Sequence, residues 1–427
     1  MKQCAFTICA KNYIGLAQIL ENSIKEKSPE LGFFVFVADE FEERPAELSD
    51  HVIVSRTVLA KDDQLWEEMA FKYDLTEFCT SIKPRCFQYL LKELHYDKAI
   101  YLDPDILVFN SLKPVLDLLD TYSIVLTPHI SRIQEHYTGE MPEKEILFVG
   151  SYNLGFCAVR NSPDTTKFMA WWTDRLTDKC FVNHQEPYFT DQCWINMLPC
   201  FFDSNSLHVS RHIGLNYAPW NQFEREGVVK DSEWYVKLRN EPDDTLYDLI
   251  FAHFSGYDYK NLINDGIVTQ RGRPVKEYDD AAIILNRYKE ILASQKENFE
   301  KYLNMSYSYN FFDNGASVLP FHRRLYNGLL QEGKKYTDLF GTQEENSFYT
   351  QLKKKNLLSS FNLKAYIRGN KKDINKNKSR ANKVFVLLYK ILGYKKFQML
   401  IEFFINYSKQ ENFTFLLGKR GKQENIL

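Results

Sequence analysis

Two aspartates one residue apart follow an apolar run in the first third of the sequence. Asp103 and Asp105 come directly after AIYL, within the segment AIYLDPDILVF. Two carboxylates at this spacing in a turn can both point at one hard cation, so we expect Mn²⁺ or Mg²⁺ to bind there and to keep positions open for phosphate oxygens. The alternative is a turn in which Asp and Pro simply end a strand. The position after a buried strand favours the metal site.

The elements before this pair alternate between strand-like and helical patterns. We predict strands at residues 4–10, 33–38, 51–55 and 99–102, and helices at residues 13–25 and 81–94. This alternation predicts an α/β, Rossmann-like fold, with a mostly parallel central sheet covered by helices on both faces. Ligands of such sheets bind beyond the carboxyl ends of the strands, which is where the two aspartates lie.

At this point the sequence resembles the nucleotide-sugar glycosyltransferases of the GT-A fold, whose metal motif is an Asp-x-Asp after an apolar strand. Four further segments are similar, in the same order, over roughly residues 1 to 270. They are FTICAKNYIGLAQILENSI (a nucleotide-binding strand and helix), SYNLGFCAV (the asparagine-plus-glycine strand of glycogenin-like and bacterial galactosyltransferase-like families), FTDQCW (their acidic-Gln pair) and FAHFSG (their late His-x-x-Gly). The Lys-Pro-Trp that follows the histidine motif in those families is absent. YNLGF, a double Trp and GLNYAPWN are closer to a group of bacterial surface-polysaccharide transferases.

The resemblance implies a role for several residues. Those assigned to the donor are Ala10, Asn12 and Tyr13 at the base and ribose, and Asn153 at the sugar. Asp191 and Gln192 would lie near the reacting carbon. His253 would complete the metal site, with Gly256 allowing close approach of the backbone. A lone histidine in an apolar run is otherwise a core residue, and Asp191 is otherwise an exposed loop carboxylate.

The role of Asp191 depends on the stereochemistry of transfer. In an inverting enzyme it would be the base that deprotonates the acceptor hydroxyl. In a retaining enzyme, as in the resembled families, it would stabilise the sugar on its reacting face.

Other candidates keep two interpretations. Lys83 or Arg85 in SIKPRCF would stabilise the leaving diphosphate, or both are helix-surface charges. Asp39, at the end of the second strand, would accept hydrogen bonds from the base or ribose, or act as a cap. The acceptor side is assigned to His129, Trp220 and Asn221.

The charges are unevenly distributed along the chain. It has 54 basic and 56 acidic residues, but from position 353 onward 18 residues are basic and 4 acidic, a net charge of +14. We predict a catalytic domain at residues 1–280, a helical extension at 281–350 and a basic helical tail at 351–427. The apolar, lysine-interrupted segment 384–407 would lie on an anionic membrane surface or pack on the body of the protein. Nothing in the body indicates recognition of nucleic acid.

The cysteine pattern and the N-terminal segment predict the cellular compartment of the protein. Eight cysteines without a Cys-x-x-Cys pair, and an N-terminus too short in apolar residues for a signal peptide, predict a cytoplasmic protein, with the inner membrane face as a site of peripheral contact.

Three classes of function follow. The first is a metal-dependent glycosyltransferase acting on a nucleotide-sugar donor and a glycan or lipid-linked acceptor. The second is a nucleotidyltransferase or phosphohydrolase, which the absence of a glycine-rich phosphate loop disfavours. The third is a non-catalytic nucleotide-sugar or glycan-binding protein on the same fold.

Overall fold

The structure is a computed structural model that describes residues 1–242, 244–264, 269–270, 273–274, 278–359 and 371–417. The chain forms two compact units. The first comprises Met1–Met69 and Leu75–Ser308, and the second comprises Ala70–Asp74 with the described residues from Tyr309 onward. The three-part division at positions 280 and 350 stays a prediction.

A seven-stranded sheet forms the centre of the first unit. Its strands are β1 (Gln3–Cys9), β2 (Gly32–Val37), β3 (Val52–Val54), β4 (Lys98–Leu102), β6 (Ile124–Leu126), β7 (Phe156–Arg160) and β10 (Leu207–Val209). Their spatial order is β10-β6-β7-β4-β1-β2-β3, and every adjacent pair is parallel except the two that include β7. The predicted mostly parallel α/β sheet is confirmed.

The remaining strands form small sheets. They are β5 (Ile106–Val108), β8 (Val182–Asn183), β9 (Tyr188–Phe189), β11 (Arg225–Lys230), β12 (Glu233–Leu238), β13 (Tyr247–Asp248), β14 (Phe251–His253), β15 (Thr269–Gln270) and β16 (Arg273–Pro274). The pair β5–β14 is antiparallel and matters most, because it joins the segment after the Asp-x-Asp triplet to the histidine motif.

Helices flank the central sheet. Those of the first half are α1 (Ile14–Lys27), α2 (Ser55–Leu59), α3 (Asp63–Lys72), α4 (Leu75–Ser81), α5 (Lys83–Gln88), α6 (Lys113–Thr121), α7 (Glu143–Val149) and α8 (Pro163–Asp178). Those that follow are α9 (Leu198–Phe201), α10 (Tyr259–Ile263), α11 (Asp279–Ser294), α12 (Lys296–Leu303), α13 (Pro320–Gln331), α14 (Phe348–Lys354) and α15 (Lys371–Tyr407). No helix in the described ranges combines the length and apolarity needed to cross a bilayer.

The alternation of side chains along β1 shows how both faces of the sheet are covered. Ala5 belongs to an apolar cluster with residues of α1 and α6, such as Leu20 and Leu116. Phe6 points to the opposite face, where its ring lies 4.7 Å from that of Phe87 in α5. Successive side chains of a strand point to opposite faces, so continuous apolar runs such as β1 need cover on both.

One helix differs from the sequence expectation. The helix predicted at 81–94 is interrupted at Ile82, after which α5 begins with Pro84 in its first turn and passes into a π-helical turn, Tyr89–Glu93. Proline fits the first turn of a helix but not its interior, so a new helix starts there. Within the tail predicted to be helical at 351–427, helix α15 begins at Lys371. Residues 360–370 of that tail lie outside the described residues.

Candidate active site

The Asp-x-Asp triplet lies at the end of β4, in the middle of the sheet. All five residues of β4 are buried, and a turn follows in which Ile106 N donates to Asp103 O at 3.1 Å. Because β1 is parallel to β4 and β7 is antiparallel to it, the end of β1, the end of β4 and the start of β7 share one edge. This edge is where an open α/β sheet binds its ligands.

Pairing of β14 with β5 brings the histidine motif to the same place. His253 pairs with Ile106, the residue after Asp105, and Phe254 N donates to Asp105 O at 2.9 Å. His253 Nε2 lies 3.1 Å from Asp105 Oδ1 and 3.6 Å from Asp103 Oδ2. One ligand atom from each of the three side chains falls within 4.8 Å of the others.

This donor set fits a divalent cation. Two carboxylates and an imidazole are ligands of Mn²⁺, and the carboxylates suit Mg²⁺. Asp105 Oδ1 is buried and has no hydrogen-bond partner in the part of the chain that the structure describes, because the contact from His253 lacks hydrogen-bond geometry. A buried, unpartnered carboxylate oxygen is costly, and a bound cation removes that cost.

Neighbouring charged side chains shift the pKa values of Asp103 and His253. Burial raises the pKa of Asp103 and the neighbouring Asp105 adds to the rise, while Lys83 and His253 oppose it. Burial by itself would lower the pKa of His253, but the two carboxylates outweigh it and raise that pKa above the usual value. A cation between the carboxylates would remove the repulsion that favours protonation of this cluster.

Gly155 makes room for the histidine. A Cβ at this position would lie 2.3 Å from His253 Cε1 and 2.9 Å from Asn153 Oδ1. Its carbonyl accepts the N–H of Asp103 at 2.8 Å. In the sequence, Gly155 stands out only as part of the SYNLGFCAV segment, in which Asn153 alone was assigned a role. The signal was present in the Asn-x-Gly spacing, but only the contact with His253 explains it.

Asp191 lies in a buried ion pair. Lys83 Nζ donates to Asp191 Oδ2 at 2.6 Å and to the carbonyl of Leu154 at 2.8 Å, and both charged side chains are almost fully buried. Burial would lower the pKa of Lys83, but Asp191 and Asp103 outweigh it and raise that pKa, so Lys83 keeps its charge. The interpretation of Lys83 as a surface charge is therefore wrong, and so is that of Asp191 as an exposed loop carboxylate.

Tyr101 connects this ion pair to the triplet. Its hydroxyl donates to Asp103 Oδ1 at 2.5 Å, and the ammonium of Lys83 lies 4.2 Å from the centre of its ring. Burial, with the nearby Asp103 carboxylate, raises the pKa of Tyr101 well above its usual range, so the hydroxyl remains a donor. Tyr101 was missed at the sequence level because it reads as one more apolar residue of a buried strand.

Asn153 and Gln192 organise the start of β7. Asn153 Oδ1 accepts from Asn216 Nδ2 at 2.9 Å, and its Nδ2 lies 3.4 Å from His129 Nε2. Gln192 accepts the N–H of Leu154 at 2.9 Å and donates to the carbonyl of Val149 at 2.8 Å. Gln192 therefore braces the loop that carries Asn153. Asn216, which has a φ of 58° and is fully buried, is a further residue that sequence reasoning missed.

The end of β1 forms a polar turn. Ala10 precedes the short 3-10 helix Lys11–Tyr13, and its carbonyl accepts the N–H of Tyr13 at 2.8 Å. Asn12 Oδ1 is buried without a partner among the residues described. Burial, with the negative charges of Asp105 and Asp258, raises the pKa of Tyr13 to about 12. The hydroxyl of Tyr13 is therefore close enough to Asp105 to interact with its charge.

Asp39 is committed to protein contacts. It is fully buried and accepts the N–H groups of Lys11 at 2.8 Å and of Ser308 at 3.0 Å. Lys11 begins the 3-10 helix, so the carboxylate acts as a cap supplied from the neighbouring strand. Burial raises the pKa of Asp39, and the Lys11 contacts oppose the rise.

Two further sequence candidates, Arg85 and Gly256, have no contact with the Asp-x-Asp triplet among the interactions of the described residues. Arg85 is directed to Thr177 Oγ1 at 3.1 Å and Met69 Sδ at 3.9 Å, so the structure does not bring it to the triplet. Gly256 is exposed, with a φ of 77°, in the turn after His253.

Of the acceptor-side candidates, Trp220 packs directly against the imidazole of His253. Trp220 stands edge-to-face against His253 at 5.2 Å and His129 at 5.5 Å, and its buried Nε1 has no partner within the described ranges. Asn221 is fully buried, accepts from Ala218 N at 2.9 Å and donates to Asn216 O at 2.9 Å. It therefore holds the loop on which Trp220 stands.

Comparisons with known proteins give matches only among solved structures. No protein-family model matches the chain, and no curated protein matches its sequence significantly. The galactosyltransferase LgtC, in complex with donor and acceptor sugar analogues, is similar with 16% identity and a TM-score of 0.36, over 68% of this chain and 96% of LgtC. The apo form of the glycosyltransferase GlyE from Streptococcus pneumoniae has 14% identity and a TM-score of 0.34, over 73% of this chain and 67% of GlyE.

A third similar structure is mouse xyloside xylosyltransferase 1 in its apo form, with 12% identity and a TM-score of 0.33, over 51% of this chain and 88% of the mouse chain. These three solved structures are glycosyltransferases, the class that the motifs of this chain predicted. At these identities and TM-scores the likeness concerns the fold alone.

Proposed function

We propose that this protein is a metal-dependent glycosyltransferase that moves a sugar from a nucleotide-sugar, most simply a UDP-sugar, to an acceptor hydroxyl. The observation that carries the proposal is the convergence of Asp103, Asp105 and His253 at the edge where β1 and β4 end. Bound there, Mn²⁺ or Mg²⁺ would act as a Lewis acid on the leaving diphosphate.

The turn after β1 supports a nucleoside site beside the triplet. Within the described part of the chain, the amide oxygen of Asn12 has no partner, and it would accept a hydrogen bond from a base or ribose. Tyr13 stands edge-to-face against Tyr259 at 6.0 Å, so its ring is fixed and could stack on a base. Asp39 would act indirectly, by fixing the N–H of Lys11 and so the course of this turn.

The ion pair supports retention of anomeric configuration. Lys83 Nζ donates to Asp191 Oδ2 at 2.6 Å, so this carboxylate oxygen is already occupied by a charged donor. We therefore assign Asp191 to stabilising charge at the sugar rather than to general base catalysis. Asn153, held by Asn216, would orient the donor sugar, and Gln192 would position Asn153.

The acceptor side is proposed at Trp220 and His129. The indole N–H of Trp220 is buried and has no acceptor among the described residues, and an aromatic edge beside a polar ring suits a sugar hydroxyl. We propose a glycan or lipid-linked saccharide acceptor, a role in cell-surface polysaccharide synthesis, and a cytoplasmic location.

Release of nucleoside diphosphate tests the proposal. The purified chain is incubated with a panel of nucleotide-sugars, with Mn²⁺, with Mg²⁺ and with chelator. We expect release of UDP from at least one UDP-sugar, lost with chelator. Metal-dependent binding of UDP without turnover would instead indicate a non-catalytic binding protein, and release of pyrophosphate or inorganic phosphate would indicate a nucleotidyltransferase or phosphohydrolase. NMR of the anomeric centre of the product then tests retention.

A further inference from the structure

The helix α15 doubles back on itself near its middle. Gly393 has a non-helical backbone, with φ 70° and ψ 167°, and the ring of Phe397 lies 5.9 Å from that of Tyr389 and 6.3 Å from that of Phe385. In a continuous helix, residues eight and twelve positions apart are separated by roughly 12 and 18 Å along the axis. Residues 384–407 therefore form a helical hairpin with Gly393 at its tip, which we call the tail hairpin.

The tail hairpin exposes an unusual amount of apolar surface. Eleven of its large apolar side chains are between 41% and 70% exposed: Val384, Phe385, Val386, Leu387, Tyr389, Ile391, Tyr394, Met399, Phe403, Phe404 and Ile405. Scattered single exposed apolar residues are ordinary in soluble proteins, but a contiguous set of this size marks an interaction surface.

The charge of the same segment is of one sign. From position 378 to 407 the exposed basic residues are Lys378, Arg380, Lys383, Lys390, Lys395 and Lys396, and the single acidic residue is Glu402. Lys390, Lys395 and Lys396 surround the tip at Gly393. A partner for this surface must therefore offer apolar and negatively charged groups together.

We propose that the tail hairpin docks on the surface of a bilayer rich in anionic lipid. A second copy of the hairpin would bring another group of like charges into contact, which opposes self-association through this face. A bilayer offers hydrocarbon to the phenylalanines and phosphates to the lysines. The apolar parts of the two arms, residues 384–392 and 394–407, have 9 and 14 residues, or roughly 13 and 21 Å, which is short of the ~30 Å hydrocarbon core, so they would lie in the interface.

The segment after the tail hairpin packs on another helix of the same second unit. The 3-10 helix Gln410–Leu416 packs on α13, with the rings of Phe413 and Phe321 6.3 Å apart. A Cβ at Gly328 would lie 2.0 Å from Glu411 O, so the two backbones are in close contact. Docking of the tail hairpin would therefore carry this folded unit to the membrane. The inference does not depend on the proposed function.

Vesicle sedimentation with the full-length chain tests the proposal. The probes are vesicles of phosphatidylcholine alone and vesicles in which about a third of the lipid is phosphatidylglycerol. We expect binding to the anionic vesicles, weakened as salt rises from about 0.05 to about 0.5 M. Phe403→Asp with Phe404→Asp, and separately Lys395→Glu with Lys396→Glu, should each reduce the affinity about tenfold or more.

Ile133→Asp is the matched control, because Ile133 is fully exposed but lies in the first unit. It should leave vesicle binding unchanged, and circular dichroism should show that all variants are folded. Equal binding to neutral and anionic vesicles, or unchanged binding by both double variants, would overturn the proposal. A dimer in light scattering that the Phe403→Asp, Phe404→Asp variant dissociates, without vesicle binding by the parent, would also overturn it and indicate self-association.

Discussion

Gly155 and His253 are in contact across the candidate metal site, and the contact leaves no room for a side chain on the glycine. A Cβ at position 155 would stand 2.3 Å from His253 Cε1 and 2.7 Å from its Nδ1. Both lie on rigid strands or at their ends, so the glycine sets how closely the imidazole approaches the two carboxylates. A residue without chemistry of its own thus determines the geometry of a metal ligand.

Gly155→Ala is expected to weaken Mn²⁺ binding about 10- to 100-fold while the chain stays folded, because the added methyl group must displace the imidazole. Isothermal titration calorimetry of Mn²⁺ measures the effect. The control is a double-mutant cycle with His253→Ala. In the His253→Ala background, Gly155→Ala should cost little further affinity, and an undiminished loss there would contradict the contact as its cause.

Asp105→Ala is expected to reduce turnover by at least about a hundredfold without unfolding the protein, since it removes a carboxylate that faces the imidazole at 3.1 Å. Rates are measured as nucleoside diphosphate release at saturating Mn²⁺. Asp117→Ala is the matched control, because Asp117 is an exposed carboxylate on α6 whose ion pair, in the residues that the structure describes, is with Lys113. Full activity of the Asp105 variant with an unchanged metal requirement would remove the metal assignment.

Lys83→Met is expected to lower the free energy of unfolding by about 3–5 kcal/mol, because it leaves the buried carboxylate of Asp191 without its partner. Urea denaturation followed by circular dichroism gives the value. Adding Asp191→Asn should restore much of the loss, since a neutral amide is cheaper to bury than an unpaired charge. Lys113→Met, at an exposed ion pair, should have little effect. If both lysine substitutions lowered the free energy of unfolding equally, the larger contribution assigned to the buried ion pair would be contradicted.

Stability of the second unit is expected to fall as the pH drops below the ordinary histidine value of 6.5. His322 is buried in α13, accepts the N–H of Leu319 on Nδ1 at 3.1 Å, and has Nε2 2.8 Å from Leu357 O, so its neutral form fits the site. Burial lowers the pKa of His322 and outweighs the hydrogen bond to Leu357, which raises it, and Arg323 adds to the lowering. The unfolded chain then takes up a proton at a higher pH than the folded chain, so the free energy of unfolding is full above 6.5 and decreases below it.

Hydrogen exchange of peptides covering α13, measured at a series of pH values, checks this expectation after correction for the intrinsic exchange rate. His322→Gln should reduce the change in protection of α13 with pH, whereas His136→Gln, at an exposed histidine, should leave that change as it is. Protection of α13 that stays constant between neutral and mildly acidic pH would show that His322 does not titrate as expected.

Local patterns predicted the N-terminal elements of the first unit. The strands β1, β2, β3 and β4 and the helix α1 lie within two residues of their predicted bounds, because an apolar run or a helical period is a property of neighbouring residues. The surroundings of Lys83 could not be predicted in this way. Its partner Asp191 is 108 positions away, and only packing of α5 against the sheet removes both charges from water.

The sequence by itself determined that Asp103 and Asp105 would stand together at the end of a buried strand, because their spacing and the apolar run before them are local. Only the tertiary structure decided which residues complete the site. His253 reaches the pair through the register of β14 on β5, and Gly155 reaches it through the antiparallel insertion of β7. Such contacts between residues far apart in the chain depend on how whole strands pair and pack, and a shift of one residue in the register of β14 would turn the imidazole of His253 to the opposite face.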